Sequence, residues 1–120
     1  MFNLFNVFQT KVPDGVEFIG VADAKTLMDD GKVAAVIDVR GLDEWVMGRI
    51  PGAYHAPVGQ LAAHMNELSK HRNGTLVVYC RTQNRSGFAA GQLATAGFTD
   101  VKVINGGILQ WANEGMPLEK

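Results

Sequence analysis

Two stretches of the chain, Ala34-Ala35-Val36-Ile37 and Leu76-Val77-Val78, are apolar without interruption. Continuous runs of this length, rich in β-branched residues and not alternating with polar ones, suit strands covered on both faces of a parallel sheet. The pattern predicts strands at residues 33–39 and 75–79 and shorter ones at 16–19 and 101–104. Between them the apolar positions change period. Val58, Leu61, Ala62, Met65 and Leu68 recur at helical spacing, and Ala24, Leu27 and Met28 form a shorter stripe that stops before Gly31. Residues 88–96, rich in Ala, end at Gly97, and residues 107–113 carry Ile108, Trp111 and Ala112 on one face before Gly115 and Pro117 close the helix. Strands alternating with helices predict a three-layer α/β/α domain around a mostly parallel sheet.

Composition narrows the reading. A chain of 120 residues, 47% apolar and with a formal net charge of -1, has the material for one domain, assigned to residues 12–120. The preceding residues 1–11 form an apolar segment with no charged start, no continuous apolar run and no small-residue cleavage site. It is far shorter than the roughly 20 residues of a membrane helix. The expectation is therefore a cytoplasmic protein with no transmembrane segment, whose first residues pack on the domain or dock to a partner or a membrane surface. Charges of both signs are mixed along the chain, so no basic stripe marks a nucleic-acid partner. Cys80 is the single cysteine, which excludes an internal disulfide and a multi-cysteine zinc site, and His55, His64 and His71 lack metal-ligand spacing. The reading assigns no metal and no cofactor.

Cys80 falls at the end of the strand Leu76-Val77-Val78-Tyr79, ahead of a polar loop, Arg81-Thr82-Gln83-Asn84-Arg85, and of a helix expected to open at Ser86. Ligands of open α/β sheets bind at such strand ends. A free cysteine is otherwise a small apolar core residue. An electropositive, partly exposed setting between two arginines and a helix start makes a thiol reactive instead. A helix dipole stabilises a thiolate by only about 0.3–1 kcal/mol, whereas each hydrogen bond to a charged group contributes about 1.5–3 kcal/mol. Two or three loop N–H groups aimed at the sulfur are thus expected to be the activating element. The same N–H groups would cradle an anion. A Cys80 thiolate could then attack the outer sulfur of thiosulfate or of a persulfide, hold it as Cys–S–S⁻, and pass it to cyanide or a thiol.

The string Cys80-Arg81-Thr82-Gln83-Asn84-Arg85-Ser86 resembles the active-site loop of single-domain rhodaneses. Asp38-Val39-Arg40, Glu44-Trp45 and Gly48-Arg49-Ile50-Pro51-Gly52-Ala53 resemble the family's first signature, and Gly106-Gly107-Ile108-Leu109-Gln110-Trp111 with Gly115-Met116-Pro117 its C-terminal one. The resemblance spans about residues 16–118. It implies a five-stranded parallel sheet flanked by helices, Cys80 as the catalytic residue, and a persulfide held by the backbone from Arg81 to Ser86. Two positions depart from the pattern: Arg49 stands where the family often has His, and Gln83 where it often has Gly. A positive φ at Gln83 would strain the loop. The fold also hosts phosphatases and arsenate reductases, whose loop places an arginine six residues after the cysteine. Here that residue is Ser86 and Arg85 comes one earlier, so sulfur transfer is favoured. A sulfur carrier that docks to a protein donor or acceptor and turns over thiosulfate poorly is the other alternative.

Around this loop, Arg81 is expected to meet solvent and donor. Two roles are open to Arg85, contact with the donor or persulfide and pairing with a carboxylate under the loop. Asp38 and Arg40 are read as supporting residues, with Arg40 and Glu44 at the i,i+4 spacing of a local ion pair. Ser86 is expected to cap the helix N-terminus and to be able to face the sulfur. Trp45 and Trp111 are read as core residues, and His55 as a strand-end residue without catalytic duty.

Overall fold

A computed structural model describes residues 12–120, so the expected apolar segment 1–11 lies outside the described residues. The strands are β1 (Val16–Ile19), β2 (Ala35–Asp38), β3 (Tyr54–His55), β4 (Thr75–Tyr79) and β5 (Asp100–Ile104). The helices are α1 (Val21–Asp29), α2 (Leu42–Met47), α3 (Met65–Leu68), α4 (Asn84–Thr95) and α5 (Gly107–Asn113). The strands form one five-stranded sheet in the order β1-β5-β4-β2-β3. All four pairings are parallel, with Ile37 opposite Val78 and Val78 opposite Val103 across the centre. The expected α/β fold with a five-stranded, mostly parallel sheet is what the chain forms. An isolated antiparallel bridge, Arg49 to Glu119, ties the chain end back to the domain.

Successive side chains of a strand point to opposite faces, and the sheet has a core on each. Ile37, Leu76, Val78, Val101 and Val103 pack on one face with Leu61, Leu68, Ala89, Ala90 and Leu93, from α4 and the segment that precedes β4. Val36, Val77, Tyr79 and Ile104 pack on the other with Val21 and Ala24 of α1 and Ile108 and Trp111 of α5. Residues Leu76 to Tyr79 are fully buried, which is why the sequence there is apolar without alternation. Trp111 is buried with its indole N–H donated to the Pro117 carbonyl at 2.7 Å, so its polar atom is satisfied.

Three elements differ from expectation. The strand predicted at 33–39 begins only at Ala35. The stripe from Val58 to Leu68 is mostly 3-10, Val58–His64, followed by the single α-turn of α3. Pro57 precedes it, and side chains three apart, Val58, Leu61 and His64, align in 3-10 geometry. The helix after Cys80 opens at Asn84 and not at Ser86. No helix of the described residues is long and apolar enough to cross a membrane.

Because all strands run one way, their carboxyl ends meet on one edge of the sheet. The turns into α2, α4 and α5 gather there.

Candidate active site

Cys80 follows the last residue of β4 and keeps the inward register of Leu76 and Val78, so its side chain joins the core on the α4 face. It is only 1% exposed, which corrects the expected partly exposed thiol. Strand parity turns the side chain inward, and the loop of Arg81, Thr82 and Gln83, with Asn84, folds over it and takes the solvent instead.

Two groups of one residue meet the sulfur. The Ser86 N–H points to Cys80 Sγ at 3.4 Å, and the Ser86 hydroxyl lies 3.3 Å away. Among the described residues, Ser86 is the one residue that reaches the sulfur by hydrogen bonding, where two or three loop N–H groups were expected. Ser86 therefore faces the sulfur from within the first turn of α4. The N-cap position belongs to Gln83, which makes no side-chain cap bond.

The loop is held from α5. The Cys80 carbonyl accepts the Ile108 N–H at 2.9 Å, and the Arg81 carbonyl accepts the Leu109 N–H at 3.2 Å. This approach is possible because Gly107 has no side chain and sits at φ +58. A Cβ there would lie 2.6 Å from the Arg81 carbonyl oxygen and closer still to those of Cys80 and Thr82. Gln83 adds a second tie, its Oε1 accepting the Gly106 N–H at 2.9 Å. Its φ is −159, so the side chain that stands where the family often has glycine is accommodated without the left-handed backbone that would favour glycine.

Below the loop, Asp38 and Arg40 form a closed ion pair. Arg40 Nη2 donates to Asp38 Oδ2 at 2.7 Å and to the Gly48 carbonyl at 2.6 Å, while Nε donates to both carboxylate oxygens at 3.0 Å. Asp38 Oδ1 also accepts the Arg40 backbone N–H at 2.9 Å. Burial opposes the guanidinium charge, but hydrogen bonding and attraction to Asp38 outweigh it, so the Arg40 pKa is raised. Tyr79 lies beneath, its ring 5.7 Å from the Arg40 guanidinium, and its hydroxyl accepts the Ile50 N–H at 3.1 Å. Burial and, after it, Asp38 push the phenol pKa up.

The Arg40–Glu44 pair expected from i,i+4 spacing is not formed. Glu44 instead takes Arg85 in a two-pronged bond, 2.5 Å to Nη1 and 2.9 Å to Nη2. Its Oε1 also accepts the Gly41 N–H at 3.2 Å at the start of α2. Of the two roles open to Arg85, pairing with a carboxylate is the one seen. Arg81 is exposed and has no ion pair among the described residues.

Hydrogen bonding to Arg85 is the largest influence on Glu44, and it lowers the carboxyl pKa from 4.5 to about 2. A carboxyl depressed in this way contributes stability that is complete above its ordinary pKa and is lost as pH falls through the folded one. The stability difference between the wild type and Glu44→Gln is therefore expected to stay constant from neutral pH down to about 5 and to shrink between 4.5 and about 2. More than a third of the Arg85 side chain is exposed, 37%, so screening limits the neutral-pH difference to about 1 kcal/mol or less. Urea titrations across this range check it, and a difference that grows with acidity would contradict the pair.

Trp45 is half-buried outside both cores, stacked on His55 at 4.5 Å with the Arg49 guanidinium 4.5 Å from its ring. Arg49 thus has a structural place, and His55, whose Nε2 lies 2.8 Å from the Arg40 carbonyl, braces the residue behind the loop.

A family model described as "Rhodanese-like domain" matches residues 20–114. A protein of Allochromatium vinosum named "Sulfurtransferase" is 34% identical over 89 residues, covering 74% of this chain and 81% of that one. Among solved structures, a Rhodopseudomonas palustris protein described as a possible tyrosine phosphatase is 28% identical with a TM-score of 0.78, over 87% of this chain and 85% of that one. A thiosulfate sulfurtransferase of Pseudomonas aeruginosa is 26% identical with a TM-score of 0.77, over 87% of this chain but only 20% of that chain.

Proposed function

The chain belongs to the rhodanese-like domain family, and from that premise we propose that it is a sulfurtransferase carrying sulfane sulfur on Cys80. The observation that carries the reading is the sulfur at the end of β4, facing the N–H and O–H of Ser86 in the first turn of α4. A thiolate there has two hydrogen-bond donors, each contributing about 1.5–3 kcal/mol toward a charged acceptor, and the N-terminal end of a helix dipole. These offset the cost of holding charge in a nearly dry site, which for a buried ion is several kcal/mol.

The transfer has two halves. The Cys80 thiolate attacks the outer sulfur of thiosulfate or a persulfide. The donor's S–S bond breaks, and its electron pair leaves on sulfite or on the donor thiolate. The product is Cys80–S–S⁻, sheltered by residues 81–84 and held by the backbone between Arg81 and Ser86. In the second half a thiophilic acceptor, cyanide or a thiolate, attacks the terminal sulfur and Cys80 leaves as the thiolate. Asp38 and Arg40 act in support, as a rigid floor under the strand end.

A phosphatase reading, suggested by the name of the R. palustris relative, has less in its favour. The arginine that would grip phosphate is one residue early, and Glu44 already occupies it.

Intact mass spectrometry tests the proposal. After incubation with thiosulfate or a small-molecule persulfide, the wild-type chain should gain the mass of one sulfur atom and lose it on adding cyanide. Cys80→Ser, run beside it, should fold and stay unloaded. A wild-type chain that gains no sulfur from any donor would overturn the reading.

A further inference from the structure

One face of α4 lies open beside the reactive loop. Asn84, Gly87, Phe88, Gly91, Gln92 and Thr95 recur on it at spacings of three and four residues. Two depressions run along it, of about 460 and 580 Å³, and they share Pro13, Gly87 and Phe88. The first reaches Val16, Phe18 and the loop residues Gln83 and Asn84, and the second passes Met65 and Gly91 to Gln92 and Thr95. Phe88 stands between them, 66% exposed. Gly87 and Gly91 set no side chain beside it, and a Cβ at Gly91 would meet nothing within 4 Å, so another stretch of chain can lie close against the helix. Although 19% of the chain is charged, no charged residue among those described lines either depression. Gln92 Oε1 is buried without a hydrogen-bond partner among the described residues, a demand that native structures rarely leave unmet.

The chain itself supplies a matching occupant. Residues 1–10 carry no charged side chain, and among them Phe2, Leu4, Phe5, Val7 and Phe8 are interspersed with the amides of Asn3, Asn6 and Gln9. One stretch thus offers apolar groups for Phe88 and N–H donors for Gln92. Val12 and Pro13, into which it leads, line the first depression, so the chain meets the groove at its loop end. Seven extended residues reach roughly 23 Å, more than the roughly 18 Å of a twelve-residue helix. A membrane surface would call for basic residues around the groove, and its lining has none. A second copy would have to compete with a segment tethered by three residues, whose effective concentration is far higher.

We infer that residues 2–8 seat along this face of α4 in their own chain, with residues 9–11 crossing Gln83 and Asn84, so that the segment holds down the loop over Cys80. The first residues of the chain thereby control how readily the buried thiol is reached.

The test uses the full chain. A benzophenone photo-cross-linker in place of Phe88 should attach within residues 1–11 of the same molecule, as mapped by mass spectrometry. Adducts that join two copies, adducts elsewhere on the domain, or none at all would overturn the assignment. Cys80 gives the second readout, through the rate at which iodoacetamide reaches it when the loop opens. Gly91→Glu suits a helix better than glycine does and has open space for its Cβ, so it folds, yet it places a charge in the groove. It should raise the alkylation rate about tenfold, the effect of losing one buried anchor. Phe5→Glu should do the same from the other side of the contact, and the two together should do no more than either alone. Single variants with the wild-type rate, or a double variant in which the two effects multiply, would overturn the segment's hold on the loop. None of these readouts requires sulfur transfer, so their failure is distinct from failure of the sulfurtransferase reading.

Discussion

Gly107→Ala is expected to abolish sulfur loading while leaving the sheet intact. A left-handed residue other than glycine costs about 1–2 kcal/mol. Gly107, at φ +58, has no room for a Cβ among the carbonyl oxygens of Cys80, Arg81 and Thr82. Those oxygens are backbone and cannot rotate aside as a side chain would, so either the loop lifts or α5 moves away. Such overpacking adds about 1–3 kcal/mol. In either case the Ile108 and Leu109 N–H groups lose the Cys80 and Arg81 carbonyls. A shift of roughly 1 Å at a reacting atom is enough for a loss of about a hundredfold. Gly31→Ala is the control. Gly31 is also left-handed, at φ +69, but its Cβ would meet nothing within 4 Å. It should cost stability through backbone strain alone and load sulfur at the wild-type rate. Equal loading by the two variants would show that the α5 contact does not set the loop.

Asp38→Ala is expected to cost the most stability. It leaves Arg40, 5% exposed, as a buried cation whose remaining acceptor is the Gly48 carbonyl. Breaking a buried pair from one side costs about 3–5 kcal/mol, because the surviving charge has neither water nor partner. The Arg40 backbone N–H loses its acceptor at the same time. For a domain of this size the midpoint of thermal unfolding should fall by roughly 10–20 °C. Replacing both partners, Asp38→Ala with Arg40→Met, should recover much of the loss, since the uncompensated charge is then gone. Chemical denaturation of the single and double variants checks the pair. A single variant within about 1 kcal/mol of wild type, or a double variant no better than the single, would mean that the pair is solvated.

How much of this was legible in the sequence depended on whether the deciding contact was local. The strands β2 and β4 could be read because continuous apolar runs rich in β-branched residues have few other fates. Helix α2 could not, because Leu42, Val46 and Met47 form no buried stripe. Strand β3 is two residues, too short for any period. Cys80 could be placed at the strand end, but not beneath the loop. Its burial follows from strand parity and from Ile108 and Leu109 drawing the loop down, and those residues lie far along the chain. Glu44 shows the same limit. Its spacing from Arg40 suggested a helical pair, while its actual partner, Arg85, is 41 residues away and is brought near by the gathering of strand ends.

The hold of α5 on the strand end also has a consequence for the order in which the protein is made. Cys80 leaves the ribosome well before Gly107, Ile108 and Leu109 have been added, and until they arrive nothing fixes the carbonyls of Cys80 and Arg81. Chains cut short ahead of Gly107 are expected to contain the cysteine yet remain inert. On this reading α5, which emerges after the cysteine, is the helix that sets the loop, and copies cut short or clipped ahead of it are expected to take up no sulfur.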